Sequence, residues 1–121
     1  MAKLVIKHFS NRAEAERHYL REVDRLAEAE REKHITPGNG QAMTYEAKHR
    51  EAAAGGGPMI TAEAQALGVT EDDVIASVLA ARAQWEQVGA QIEAARLKAK
   101  KQIRQAQTAA EMHAVIKATT F

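Results

Sequence analysis

Five histidines, His8, His18, His34, His49 and His113, are the side chains of this sequence best suited to hold a metal or move a proton near neutral pH. Their spacing speaks against a metal. Zinc sites draw on ligands at short, fixed separations, such as two histidines four apart on one helix face, and no pair of these stands that way. The absence of cysteine excludes disulfides and thiolate chemistry. Carboxylates are plentiful, but they lie among basic neighbours, and none sits in an apolar stretch that would raise its pKa toward that of a general acid. Neither a Gly-x-Ser-x-Gly nucleophile turn nor a dinucleotide-binding glycine pattern occurs. The run Gly55-Gly56-Gly57-Pro58 lacks the Lys-Ser/Thr that closes a P-loop and follows no strand, so it reads as a flexible joint. The expectation is a protein with no catalytic residue, no cofactor and no metal.

One cluster could serve nucleic acid. Arg96, Lys98, Lys100, Lys101 and Arg104 occur with no acid between Glu93 and Glu111, and phosphates would welcome them through counterion release. The five charges spread around a helix, however, with no aromatic side chain among them for bases to stack on. Cations near a helix C-terminus also complement its dipole without any ligand. The net charge of +1 adds no global field. Nucleic acid is therefore not the expected partner, although a small nucleic-acid-binding or host-regulating protein stays open as an alternative.

The elements that position these residues are almost all helical. An alanine-rich chain of 121 residues with 27% charged and only 4% aromatic side chains has the composition of long helices. No run nears the roughly 20 apolar residues of a membrane span, and the N-terminus lacks a cleavable-signal layout. Residues 10–35 form a first charged helix, capped by Asn11 with Glu14 or by Ser10. Tyr19, Val23 and Leu26, with Ala15 and either Ala29 or Glu30 near the continuation, line a narrow seam on it. Residues 36–69 hold turns and short helices: one over 42–54, and one capped by Thr61 and ended by Gly68.

Residues 70–121 hold the main element and a short last helix. Thr70 caps a helix running from Glu71 to about Ala106, with Glu71, Asp72 and Asp73 at its positive end. Val78, Ala81, Trp85, Val88, Ile92, Ala95 and Ala99 recur at alternating steps of three and four, the heptad period of a supercoiled pair. A straight helix of that length spans roughly 54 Å. A compact domain of this size has a radius of gyration near only about 14 Å. An elongated shape follows, unless the helix kinks at Gly89. Thr108 and Glu111 start the final helix, which puts Met112, Val115 and Ile116 on one face.

The first nine residues differ from the rest. "KLVIKHF" is the one strand signal, carried by Leu4, Val5, Ile6 and Phe9. Helices cannot satisfy the backbone ladder of a lone strand, so residues 1–9 are expected to act as a docking arm that pairs between chains. Trp85, with Val88 and Ile92 beside it in the seam, is the second expected contact surface, since tryptophan is enriched at interface hot spots. The fold expected is a single all-α domain: an elongated, coiled-coil-like helical hairpin with one N-terminal β-strand.

From residue 45 the text runs "YEAKHREA", the glycine-proline joint, "PMITAEAQALGVTEDDV", Trp85, "IEAARLKAKKQI" and a "TAAE" helix start. This pattern resembles small tail-associated proteins of tailed bacteriophages, encoded among tail and tail-fibre genes. The resemblance covers about 70 residues, rests on helix punctuation, and carries no catalytic or cofactor residue. It implies a non-enzymatic component of a tail or baseplate, assembled in the bacterial host cytoplasm and kept in the virion. Its partners would be other tail or baseplate proteins and copies of itself. An assembly chaperone for a tail-fibre protein, absent from the particle, is the alternative within that resemblance.

Overall fold

A computed structural model of the protein describes residues 8–36 and 38–121. It is all-α, with five helices: α1 (Arg12–Glu32), α2 (Asn39–Ala54), α3 (Pro58–Leu67), α4 (Glu71–Gln105) and α5 (Ala109–Ala118). Among the described residues there is no strand. Of the strand expected at Leu4, Val5, Ile6 and Phe9, the first three lie outside the described residues. Phe9 is not in a strand: its ring lies 5.3 Å from that of His18 and 5.6 Å from that of Tyr19, so the adjoining helix gives it an apolar place to go. Helix capping begins one residue later, as Ser10 N–H donates to Glu14 and Glu14 N–H donates to Asn11 Oδ1, both at 2.9 Å.

The chain divides into two compact units. Unit one takes residues up to Arg31 together with Gln91–Phe121; unit two is Glu32–Ala90. Helix α4 contributes a part to each unit.

In unit one, α1 and the C-terminal part of α4 run antiparallel. Arg31 pairs with Glu93 at 2.9 Å, Asp24 with Arg96 and Lys100 at 2.8 Å, and Arg12 reaches the last carbonyls of α4. The core is Ala15, Tyr19, Val23, Ala99, Ile103 and Met112, flanked by Phe9, Leu20, Val115, Ile116 and Phe121. The buried stripe of α1 is Ala15, Tyr19, Val23 and Ala27, four apart at each step, in place of the expected Leu26. Alanine admits a close neighbour where leucine would hold it off. Arg12 closes the end of α4, its guanidinium donating to Ala106 O at 2.9 and 2.7 Å and to Arg104 O at 2.8 Å. These carbonyls have no intrahelical partner, so a charged donor satisfies them.

In unit two, α2 packs on α3 and on the start of α4 around Ala52, Ile60, Ala64 and Val74, with Ile75 and Val78 alongside. The glycine run is a defined turn, not a loose joint. Gly55 ends α2 in the left-handed region (φ 93°), and Gly56 N–H donates to Glu51 O at 2.8 Å. A Cβ on Gly57 would lie 2.5 Å from the Glu51 side chain. That approach has a purpose: Glu51 Oε1 accepts from Met59 N–H at 2.9 Å and Ile60 N–H at 3.1 Å. The carboxylate of α2 thus caps α3, which starts at Pro58. Thr61, expected as that cap, lies inside α3, and its hydroxyl donates to Glu71 instead.

Candidate functional site

Two stretches of unit two carry side chains at one-face helical spacing. On α2 they are Ala42, Tyr45, Glu46 and His49; on α4 they are Ser77, Val78, Ala81, Arg82 and Trp85. Together with His34, Ile35, Thr36, Lys48 and Glu63 they line a groove of about 510 Å³. That volume is within the range of small-molecule and side-chain sites, roughly 300–1,000 Å³.

The charged groups of the groove are already matched. Lys48 Nζ meets Glu63 at 2.6 Å, and Arg82 meets Glu46 at 2.5 Å and Glu86 at 3.1 Å. The carboxylates of Glu46 and Glu86 push the Arg82 pKa up, so it stays a cation under all ordinary conditions. Lys48 also stands 5.6 Å from the centre of the Tyr45 ring, a cation–π arrangement. The Tyr45 hydroxyl is shared with Thr36 at 3.3 Å; that hydrogen bond, with a further one from Gln41, holds its pKa below the usual phenol value. Among the lining residues, His49 has its Nδ1 shut off from solvent and without a hydrogen-bond partner among the described residues. The apolar walls remain open, with Tyr45 44% and Ile35 43% exposed and Trp85 half-buried.

The expected contact residues are scattered by this geometry. Trp85 lines the groove and belongs to neither core. Val88 is half-buried, and Ile92, assigned to unit one, is only 2% exposed. Phe9 packs in unit one, and Leu4, Val5 and Ile6 lie outside the described residues. Of the expected seam, Ile92 and Ala99 are buried, Val78, Trp85, Val88 and Ala95 are half-buried, and Ala81 is exposed. Tyr45, His49 and the pairs Lys48–Glu63 and Arg82–Glu46 were not singled out from the sequence as a site. The signal available for them was the three-and-four spacing of Tyr45, Glu46 and His49, in a helix without an apolar stripe.

The basic run of α4 is partly consumed inside unit one. Glu93 and then Asp24 raise the Arg96 pKa through hydrogen bonds, and Lys100 is held by Asp24. Partial burial pushes the Asp24 carboxyl up, but Lys100 and Arg96 outweigh it and hold the pKa below its ordinary value. Lys98, Lys101 and Arg104 pair with no carboxylate among the described residues and project to solvent. Among the described residues no three His, Asp or Glu side chains converge as a metal site, and no helix is long and apolar enough to cross a membrane.

A smaller hollow in unit one, about 360 Å³, is lined by His8, Phe9, Asn11, Arg12, Ala15, Gln107, Thr108 and Ala109. Its strongest polar group, Arg12, is committed to the carbonyls of α4. No protein-family model matches the sequence, and comparisons with curated proteins and with solved structures give no match.

Proposed function

We propose that the chain acts by protein–protein contact and not by catalysis, as a structural component of a bacteriophage tail or baseplate assembled in the host cytoplasm. The observation that carries the contact reading is the groove of unit two. It places Trp85, Tyr45 and Ile35 at an open surface, while its lysine, arginine and two glutamates neutralise one another. Exposed aromatic side chains with spent charges suit an interface anchor, whereas acid–base chemistry needs a titratable group set apart from its neighbours. The tail assignment is supported by the resemblance of the text from Tyr45 to Glu111 to small tail-associated proteins.

Mass spectrometry of purified particles tests the assignment. Stoichiometric presence in the particle supports a structural component, and absence from it points to the assembly-chaperone alternative. The docking arm is reduced to Leu4, Val5 and Ile6, since Phe9 is committed to unit one. Removal of residues 1–7, followed by light scattering coupled to size exclusion, tests that arm. Loss of an oligomer or of partner binding supports it; an unchanged state in both respects refutes it. The nucleic-acid alternative keeps three of its five cations, which lowers the phosphate contacts it could make.

A further inference from the structure

We propose that copies of this chain associate head to tail, the face of unit one that carries Leu97, Lys101 and Arg104 docking on the face of unit two that carries Leu67, Val69 and Asp72 in the next copy. This rests on the reading of the chain as a contact protein and names one of its partners as the chain itself.

The net charge of +1 hides a division. Unit one holds thirteen basic and eight acidic side chains, a balance of +5; unit two holds four basic and eight acidic, a balance of −4. Within unit one the acids are spent. Glu16, Glu22, Asp24, Glu28 and Glu93 each meet an arginine, while Glu14 and Glu111 accept backbone N–H groups where α1 and α5 begin. Arg17, Arg21, Lys98, Lys101, Arg104 and Lys117 are exposed and pair with no carboxylate among the described residues. Unit two has the opposite surplus. Its Lys48 is tied to Glu63 and its Arg82 to Glu46 and Glu86, and of its other cations Arg50 is exposed. Glu71 and Asp73 are engaged by Thr61 and Thr70, whereas Asp72 is exposed and meets no cation among the described residues.

Apolar surface picks out where the two surpluses meet. Leu97, 52% exposed, is the one exposed large apolar side chain among the described residues of unit one. Lys101 and Arg104 follow it by four and seven positions, on the same face of α4, and Lys98 adjoins it. In unit two, Leu67 and Val69 are 66% and 43% exposed, five and three positions before Asp72. Each surface is an apolar spot beside charge of one sign, and the signs are opposite. Such complementarity steers encounter and fixes register. Nucleic acid suits the cationic face less well, because a phosphate backbone gains nothing from Leu97 and no aromatic side chain is there for bases to stack on. The two faces are different patches of one chain, so the contact is heterologous. Every copy added offers a face to the next, which gives a ring where the rotation closes and an open filament where it does not.

Light scattering coupled to size exclusion, run on the full chain over a range of concentrations, tests this. The average mass should rise with concentration at about 0.02 M salt and return to that of the monomer at about 0.5 M, where the screening length is only about 4 Å. Lys98→Glu with Lys101→Glu should weaken association by about tenfold or more, and so should Asp72→Lys. Mixing these two variants should then give a one-to-one dimer and nothing larger, since the first keeps the acidic face and the second the basic one. Circular dichroism checks that both stay helical. If either does not fold, Lys98→Gln with Lys101→Gln and Asp72→Asn take their places in the same mixing experiment.

A monomer at every concentration in low salt would overturn the proposal, as would association that ignores both variants or a mixture that forms no dimer. An oligomer lost only on removal of residues 1–7 would overturn it in favour of the docking arm. A chain that stays monomeric but binds single-stranded DNA through Lys98 and Lys101 would give those cations to nucleic acid instead. Particle composition is measured separately, so failure here leaves the tail assignment to stand or fall by itself.

Discussion

Unit one and unit two use the same kind of sequence, alanine-rich amphipathic helix, to opposite effect. Unit one places its bulky side chains inside: Tyr19, Val23, Ile103 and Met112 are buried, with Phe9, Val115, Ile116 and Phe121 packed around them. Its charges lie across the α1–α4 pairing, where Asp24 and Glu93 join Arg96, Lys100 and Arg31. Unit two buries two alanines, Ile60 and Val74, and leaves Trp85 and Tyr45 at a groove. Alanine gives little burial free energy, at about 25 cal/mol per Å² of apolar area removed from water. The largest apolar surfaces of unit two therefore remain available to something outside it. One unit buries most of its bulky side chains; the other leaves several of them at its surface.

Substitutions of single core isoleucines break this comparison most strongly. Ile103→Ala and Ile60→Ala each remove a fully buried side chain and should each cost about 2–5 kcal/mol. Unit two has fewer large side chains to compensate, so Ile60→Ala should raise amide hydrogen exchange throughout α2 and α3. Ile103→Ala should act chiefly on α1 and α5. Equal acceleration in all five helices by both variants would mean that the two cores do not behave as separate units.

A smaller effect is expected from the turn that closes unit two. Gly57→Ala would press a methyl group onto Glu51 and disturb its cap of α3, costing about 1–3 kcal/mol. Gly40→Ala, at a helical position with nothing within 4 Å of the added Cβ, should instead stabilise by about 0.4–1 kcal/mol. Denaturant midpoints of the two variants shifted in the same direction would refute this account of the turn.

The smallest effect belongs to the ion pairs of unit one. The Asp24 and Glu93 carboxyls lie below their ordinary pKa values in the folded chain. A depressed carboxylate stabilises the fold above its unfolded pKa, and that contribution fades as pH falls through the folded value. Wild-type stability should thus decline below about pH 4, the ordinary carboxylate range. Asp24→Asn should flatten part of that decline, by about 1 kcal/mol or less, because the Asp24 side chain is 48% exposed and screened by water. Denaturation curves at stepped pH with the same slope in both proteins would show that the pair contributes nothing.

Much of the local structure was legible from residue types. Thr70 accepts from Asp73 N–H at 3.0 Å and Thr108 from Glu111 N–H at 3.2 Å, as their capping patterns predict. Gly68 ends α3 in the left-handed region, and Met112 is the buried centre of α5. Caps and stops are decided within four residues of themselves, so the sequence carries them openly. The misplaced start of α3 has the opposite cause. Its cap is Glu51, seven positions before Pro58, and no local pattern marks a carboxylate that reaches across a turn.

What the sequence determined by itself is the helical class, the ends of most helices, and the three-and-four seam along α4, because each depends on backbone geometry and neighbours a turn away. Only the tertiary structure decided how that seam is used. The sequence presents Trp85 and Ile92 as equivalent steps of one heptad pattern, yet one lines a groove of unit two and the other is buried in unit one. Periodicity tells which side chains share a helix face. Which face is covered depends on the volume and charge of residues brought in from far along the chain, and for Trp85 those are the sparse, already paired side chains of α2.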